Sequence, residues 1–152
     1  MSETTSFKHE TANESAGFLL WKITALWQKK LAKVLSEYGI TQTQFAIMAS
    51  LKWFEEKNKP TTQTHIVEHA KIEKMTVSKS IRKLEKDGFL TRKSSDADSR
   101  AVNVEFTARG KKDIGKIIVA IEDADENFFS CLNDLQLSAY KALTISIITA
   151  ND

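Results

Sequence analysis

The stretch from Met75 to Gly110 constrains this chain more than any other. From Thr76 it reads TVSKSIRKLEKDGFLTRK and then SSDADSRAVNVEFTARG. That order predicts a basic amphipathic helix, a short strand, a polar turn, an alternating strand and the start of a new helix. Val77, Ile81 and Leu84 fall at i, i+4 and i+7, which sets them on one helix face and marks it as the buried one. Met75, Lys79, Arg82 and Lys86 repeat at the same spacing on roughly the opposite face. A helix held by an apolar stripe and offering a cationic one suits the DNA major groove, where Lys and Arg reach phosphates and guanine edges.

The net charge of +2 conceals an uneven distribution. From Lys71 to Lys93, eight basic residues (Lys71, Lys74, Lys79, Arg82, Lys83, Lys86, Arg92, Lys93) stand against three acidic ones (Glu73, Glu85, Asp87), a local charge of +5. The remainder of the chain is therefore at −3, and from Ile121 to Asp152 six acidic residues face only Lys141. A basic centre and an acidic tail imply one surface for a polyanion and another kept away from it. A charge run taken alone is usually just a solvated helix face; here the helix order around it supplies the context.

With 152 residues the chain is expected to form a single domain, long enough to bury about 70% of its unfolded surface. One Pro and five Gly point to a mostly helical chain. No apolar run approaches the ~18 residues of a membrane span, and the opening MSETTSFKHETANES is too polar for a signal peptide. A single Cys excludes an intrachain disulfide and gives no sign of secretion, so the cytoplasm is the expected compartment, with no membrane partner.

Along the chain, a long first helix is expected from about Ser15 to Tyr38, with Leu20, Ile23, Trp27, Leu31, Val34 or Leu35, and Tyr38 on its apolar side. Gly39 suits the left-handed position that closes it. Thr41-Gln-Thr-Gln44 has capping-box spacing and starts a second helix with Phe45, Met48, Leu51 and Phe54, to about Lys57. Pro60 separates a short third helix, near Thr62 to Ala70, buried through Ile66, Val67 and Ala70. Lys71-Ile72-Glu73 leaves room only for a tight corner before the basic helix, about Lys74 to Asp87, which Gly88 closes. Two helices joined by so short a turn form a helix-turn-helix whose second member is the reader. Phe89–Lys93 and Val102–Phe106 then predict a β-hairpin, since Val102, Val104 and Phe106 alternate with Asn103 and Glu105. Thr107 caps a fifth helix through about Leu132, with Ile114, Ile117 or Ile118, Ile121, Ala124 and Phe128. A sixth, roughly Ser138 to Thr149, carries Leu143 and Ile147. The fold class is mainly α with a small β-hairpin wing: a winged helix-turn-helix flanked by helices at both ends.

Four blocks, GFLLWKIT, EYGITQTQF, TVSKSIRKLEKDGFLTRK and the wing pattern D-x-D-x-R-x-V-x-V-x-F-T-x-x-G from Asp96 to Gly110, resemble the MarR family of bacterial transcription regulators, in the same order and across nearly the whole chain from Gly17. The resemblance implies a homodimer that binds a pseudo-palindromic operator in double-stranded DNA, usually as a repressor and without catalytic activity or cofactor. It further implies release from DNA when a small, often aromatic, effector binds between the dimer helices and the reader domain. On this reading residues 15–38 and 108–152 are dimerisation helices and 41–107 the DNA-binding part. Lys74, Thr76, Ser78, Lys79 and Arg82 match the exposed and N-terminal face of the reader helix, which Lys86 extends. Asp98 and Arg100 match the wing's acid and its arginine. Many members carry a further arginine where this chain has Ala97, which shifts the wing toward backbone contacts by Arg100, Arg92 and Lys93, with Asp98 supporting Arg100.

Other patterns admit other readings. His65-Ile-Val-Glu68-His69 matches H-x-x-E-H, in which two His one turn apart bind zinc and the Glu is a general base. It supports an alternative as a zinc-dependent hydrolase or a metal-responsive regulator, against solvated or phosphate-contacting histidines. A winged helix can also serve as a protein-interaction module, which an acidic reader helix would have favoured. Cys131, with nothing cationic before it, is expected to be a small buried hydrophobe rather than a redox sensor. Trp21, Trp27, Trp53 and Phe54 are expected mainly in the core, with Trp21 and Phe54 lining any crevice at the domain junction.

Overall fold

Capping residues decide where the helices of this chain begin. Ser15, Thr41, Thr62, Thr107 and Asn133 each accept a hydrogen bond from the backbone amide three residues on. Accordingly α1 runs Ala16–Ser36, α2 Gln42–Glu56, α3 Gln63–Ala70, α5 Ala108–Phe128 and α6 Asp134–Asn151. The reader helix α4, Lys74–Lys86, starts instead behind Glu73, whose carboxylate takes the Met75 amide. Two strands, β1 (Leu90–Ser94) and β2 (Val102–Phe106), pair antiparallel with Leu90 opposite Phe106 and Ser94 opposite Val102. A short 3-10 turn at Ala12–Glu14 precedes α1. This architecture comes from a computed structural model that describes residues 6–94 and 101–152.

One core joins α1 to α5 and the hairpin. Val77, Ile81 and Leu84 of α4 are fully buried, at roughly 1.5–3 kcal/mol of favourable transfer each. They meet Ile47, Met48 and Leu51 of α2, Ile66 of α3, Leu90 and Val104 of the hairpin, and Ile114 and Ile117 of α5. The apolar stripe expected on α4 is therefore the one that fixes the helix, and its cationic side is left outward. The wing has an anchor that the sequence did not announce. The Val104 amide donates to the carbonyl of buried Thr61 at 2.9 Å, and Thr62 pairs with Asn103 as a single antiparallel bridge. The entry to α3 is thereby tied to the base of β2.

A second clasp holds the hinge between α4, the wing and α5. The Thr107 hydroxyl donates to the Gly88 carbonyl at 2.7 Å and accepts the Gly110 amide at 3.0 Å. Arg109 lies 4.6 Å over the Phe89 ring and donates to the Asp87 carbonyl at 2.9 Å. At Gly110 the backbones touch so closely that a Cβ would stand 2.0 Å from the Phe89 carbonyl oxygen. Gly88 itself turns the chain out of α4 with φ +86°, the left-handed conformation glycine adopts at least cost.

Three expectations need correction. α5 ends at Phe128 rather than near Leu132, and α6 starts at Asp134 rather than Ser138. The reason is Asn133, whose side chain takes the Gln136 amide while Gln136 reaches back to the Asn133 amide, a complete capping box. The α1 stripe is buried only in its second half, at Leu31 and Leu35, whereas Leu20 is 65% exposed. Nor does α6 bury any residue: Leu143 and Ile147 are 65% and 64% exposed, because their face meets no part of the chain's own core.

Candidate nucleic-acid interface

The corner of the helix-turn-helix is made by Lys71, which adopts φ 55° and ψ 40° and donates its amide to the Val67 carbonyl at 3.0 Å. This left-handed residue stops α3 and lets Glu73 open α4 two residues later. Glu73 is a site residue the sequence reading passed over. Besides the Met75 amide it receives the Thr76 hydroxyl at 3.1 Å, so Thr76, expected to face DNA, already has a partner at the helix start. An acid just before a basic helix was the available signal, since carboxylates favour helix N-termini.

Along α4 the outward face is as expected. Lys74, Lys79, Arg82 and Lys86 are all exposed, Met75 is 72% exposed, and Ser78 is half-buried at the edge. Among the described residues none of these four cations has a carboxylate within 4 Å, whereas Lys83 is paired with Asp87 at 3.0 Å. Lys79, Arg82 and Lys86 follow one another at three and four residues, a continuous strip of unpaired positive charge about two turns long. Such a strip carries sequence-independent attraction to phosphate through the counterions it releases.

The wing residues are distributed differently. Arg92 Nη2 lies 3.0 Å from Glu85 Oε1, and its Nε donates to the same oxygen at 3.1 Å. The pair is only about one-third exposed and ties β1 to the flank of α4. Lys93 reaches Glu105 across the hairpin at 3.4 Å, both side chains mostly in solvent, so that pair is worth little and exchanges readily for a phosphate. Arg92 is thus a brace and Lys93 a loosely held cation. Ala97, Asp98 and Arg100, expected at the wing tip, lie outside the described residues.

The H-x-x-E-H helix uses its histidines for the fold. His65 Nδ1 accepts the Thr62 amide at 3.1 Å, which requires a neutral ring with its proton on Nε2. Ser50 gives its hydroxyl proton to the Ala46 carbonyl at 2.8 Å, so His69 Nδ1 is the donor in its 2.9 Å bond to the Ser50 oxygen. The two rings therefore hold opposite tautomers, and a metal on His65 Nε2 would cost α3 half of its capping box. Both rings pack against Phe54, at 5.9 and 5.3 Å between centroids. Among the described residues no three His, Cys, Asp or Glu stand together as a metal cluster.

Trp21 and Phe54 have separate surroundings in the single chain. Trp21 is 75% exposed and lines a recess on α1 with Gly17, Leu20, Thr24, Ala25 and Gln28, while Phe54 sits between α2 and α3. Cys131 is exposed, not buried as expected. It falls in the short connection between Phe128 and Asn133, which lies off the core.

Three comparisons bear on this geometry. The family described as transcriptional regulator SarA/Rot matches residues 29–117. The chain is 33% identical over 123 residues to the HTH-type transcriptional regulator YdcH of Bacillus subtilis (strain 168), covering 81% of this chain and 84% of that one. In fold it is similar to MepR of S. aureus in complex with DNA, with TM-score 0.81, 20% identity, and 90% and 98% of the two chains covered. It is similar to the same degree to BpsR of Bordetella bronchiseptica, described as regulated in DNA binding by 6-hydroxynicotinic acid, with TM-score 0.81, 20% identity, and 93% and 97% covered.

Proposed function

This chain belongs to the SarA/Rot family of transcriptional regulators, winged-helix proteins of the MarR type, and on that premise we propose that it is a homodimeric repressor whose two α4 helices enter successive major grooves of a pseudo-palindromic operator. The observation that carries the DNA reading is the unpaired strip Lys79, Arg82 and Lys86, with Lys74 at its N-terminal end. Ser78 and Thr76 lie at its edge, Lys93 and Arg92 stand on the wing beside it, and Arg100, with Asp98 as its support, is assigned to the DNA backbone by the wing's sequence pattern alone.

Dimerisation is supported by apolar surface with no use in one chain. Phe18, Leu19, Leu20, Trp21 and Leu26 of α1 and Leu135, Leu143, Ile145, Ile147 and Ile148 of α6 are all exposed, far more than a monomer normally leaves in water. Residues 15–38 and 108–152 serve as the dimer part and 41–107 as the reader part. Two-fold symmetry then sets the α4 helices about 34 Å apart, one turn of duplex. A small aromatic effector at the junction, near Trp21 and Phe54, releases the operator, and the protein acts in the cytoplasm without catalysis. No helix among the described residues is long and apolar enough to cross a membrane.

Sedimentation velocity at micromolar concentration tests the dimer, and a footprint on DNA tests the operator geometry. A dimer protecting two half-sites one turn apart is expected. A monomer, or a dimer that protects only one half-site, overturns the reading.

A further inference from the structure

One apolar side chain stands among the cations on the outward face of α4. Met75 is 72% exposed, and among the described residues it is the one large apolar side chain that α4 leaves in solvent. At about 100° per residue, Met75, Lys79, Arg82 and Lys86 fall within roughly 60° of arc, opposite the buried Val77, Ile81 and Leu84. A lone exposed apolar residue is ordinary on a protein surface. The place of this one is what matters. It lies in the first turn of α4, and the N-terminal residues of a reader helix are those that meet base edges.

We propose that Met75 reads a thymine methyl group in each half of the operator, and so sets sequence preference where its neighbours set affinity. The inference rests on the DNA reading above. The Met75 amide donates to Glu73 Oε1 at 3.3 Å, so its side chain leaves the helix from a fixed point. A thioether has no donor and is a weak acceptor, which makes it a poor match for the carbonyl, ring-nitrogen and amino edges of the bases. Of the features in the major groove, the thymine C5-methyl is the apolar one. An unbranched Met adapts its shape to such a group. The polar residues around it have other partners. Thr76 has given its hydroxyl proton to Glu73 at 3.1 Å, and Ser78 is half-buried. Lys79, Arg82 and Lys86, exposed and without a carboxylate within 4 Å among the described residues, are drawn to phosphates and carry the helix into the groove. A fourth cation at Met75 would add to that attraction and discriminate nothing. An apolar side chain adds little attraction and rewards one base.

The test removes the methyl and nothing else. The full chain first selects its preferred duplex from a random-sequence library. Each dT of that duplex is then replaced by dU in turn, and binding is measured by fluorescence anisotropy at one salt concentration. For the wild type, loss of one methyl in a half-site should weaken binding about fourfold, and loss of its counterpart as well about fifteenfold in all. Met75→Ala should bind the dT and dU duplexes within about twofold of each other and keep the wild-type affinity for scrambled duplex. Met75→Leu, still apolar, should keep the preference for the methyl. Should Met75→Ala fail to fold, Met75→Gln, polar and of similar length, takes its place. A selected duplex in which no dT is sensitive to loss of its methyl, or a Met75→Ala protein with the wild-type preference intact, would overturn the inference and leave the DNA reading standing. So would an equal loss of affinity for selected and scrambled duplex in Met75→Ala, since Met75 would then serve binding without specifying a base. A wild-type chain that enriches no sequence would overturn the DNA reading and this inference together.

Discussion

Replacing Arg82 with Ala should flatten the salt dependence of DNA binding by an amount the structure sets. Lys74, Lys79, Arg82 and Lys86 are exposed and have no carboxylate within 4 Å among the described residues, so each subunit offers four cations on α4 and a dimer eight. If each neutralises one phosphate, log K falls against log salt with a slope of about −7, from roughly −0.9 per contact. Between about 50 and 200 mM salt that is a loss near 2 × 10⁴ in affinity, within the range for six to ten contacts. Arg82→Ala removes two contacts per dimer, leaving a slope near −5.4 and a loss near 2 × 10³ over the same span. The variant's affinity deficit should thus shrink by about twelvefold from low to high salt. Among the described residues Arg82 has no ion-pair partner to orphan, so stability should stay within ~0.5 kcal/mol. Fluorescence anisotropy titrations across that salt range, on operator and scrambled duplex, measure both slopes. A wild-type slope shallower than about −3, or an unchanged slope in a folded Arg82→Ala dimer, would refute the assignment of this face to phosphates. A loss confined to the operator, with the slope intact, would make Arg82 a base reader instead.

Three further outcomes follow from particular contacts. Gly110→Ala drives a Cβ to 2.0 Å from the Phe89 carbonyl oxygen, backbone against backbone, and should cost about 3 kcal/mol or more, read from the urea midpoint; a cost under about 1 kcal/mol would show that α5 slides freely on the hinge. Asn133→Ala removes the α6 cap and should cost about 1 kcal/mol and shift the dimer equilibrium toward monomer by sedimentation; an unchanged dimer would detach α6 from assembly. Glu85→Ala frees Arg92 at a stability cost no larger than about 1 kcal/mol, since the pair is one-third exposed, and should steepen the salt slope by up to about 2 per dimer. A slope that stays the same would leave Arg92 as a brace alone.

The parts legible in the sequence were those set by local chemistry and by one chain's own core. Thr41-x-x-Gln44 and Thr107 opened helices where their side chains meet the amides three residues on, and Val77, Ile81 and Leu84 settled which side of α4 faces out. The same spacing rule failed on α1 and α6 for a physical reason. An apolar stripe records that a face is to be dried, and nothing in its period says whether the chain or a second copy dries it. Leu31 and Leu35 are covered by the chain itself; Leu20, Leu143 and Ile147, equally periodic, are not.

The site shows the same division more sharply. Composition counts Arg92, Lys93, Lys79, Arg82 and Lys86 alike as positive charge, but the fold sorts them by who stands beside them. Glu85 is seven residues from Arg92 in sequence and meets it only because the chain turns at Gly88 and sends β1 back along α4. Glu105 reaches Lys93 only through the hairpin register that sets Thr91 opposite Glu105 and Lys93 opposite Asn103. Among the described residues Lys79, Arg82 and Lys86 escape pairing because the nearby acids are already held: Glu85, one turn from Arg82, is taken by Arg92, and Asp87 by Lys83. The net charge of the segment is therefore a poor guide to its reach. What attracts a phosphate is the strip left over after the fold has spent its acids on the wing and on the end of α4, and that strip is what the salt slope counts.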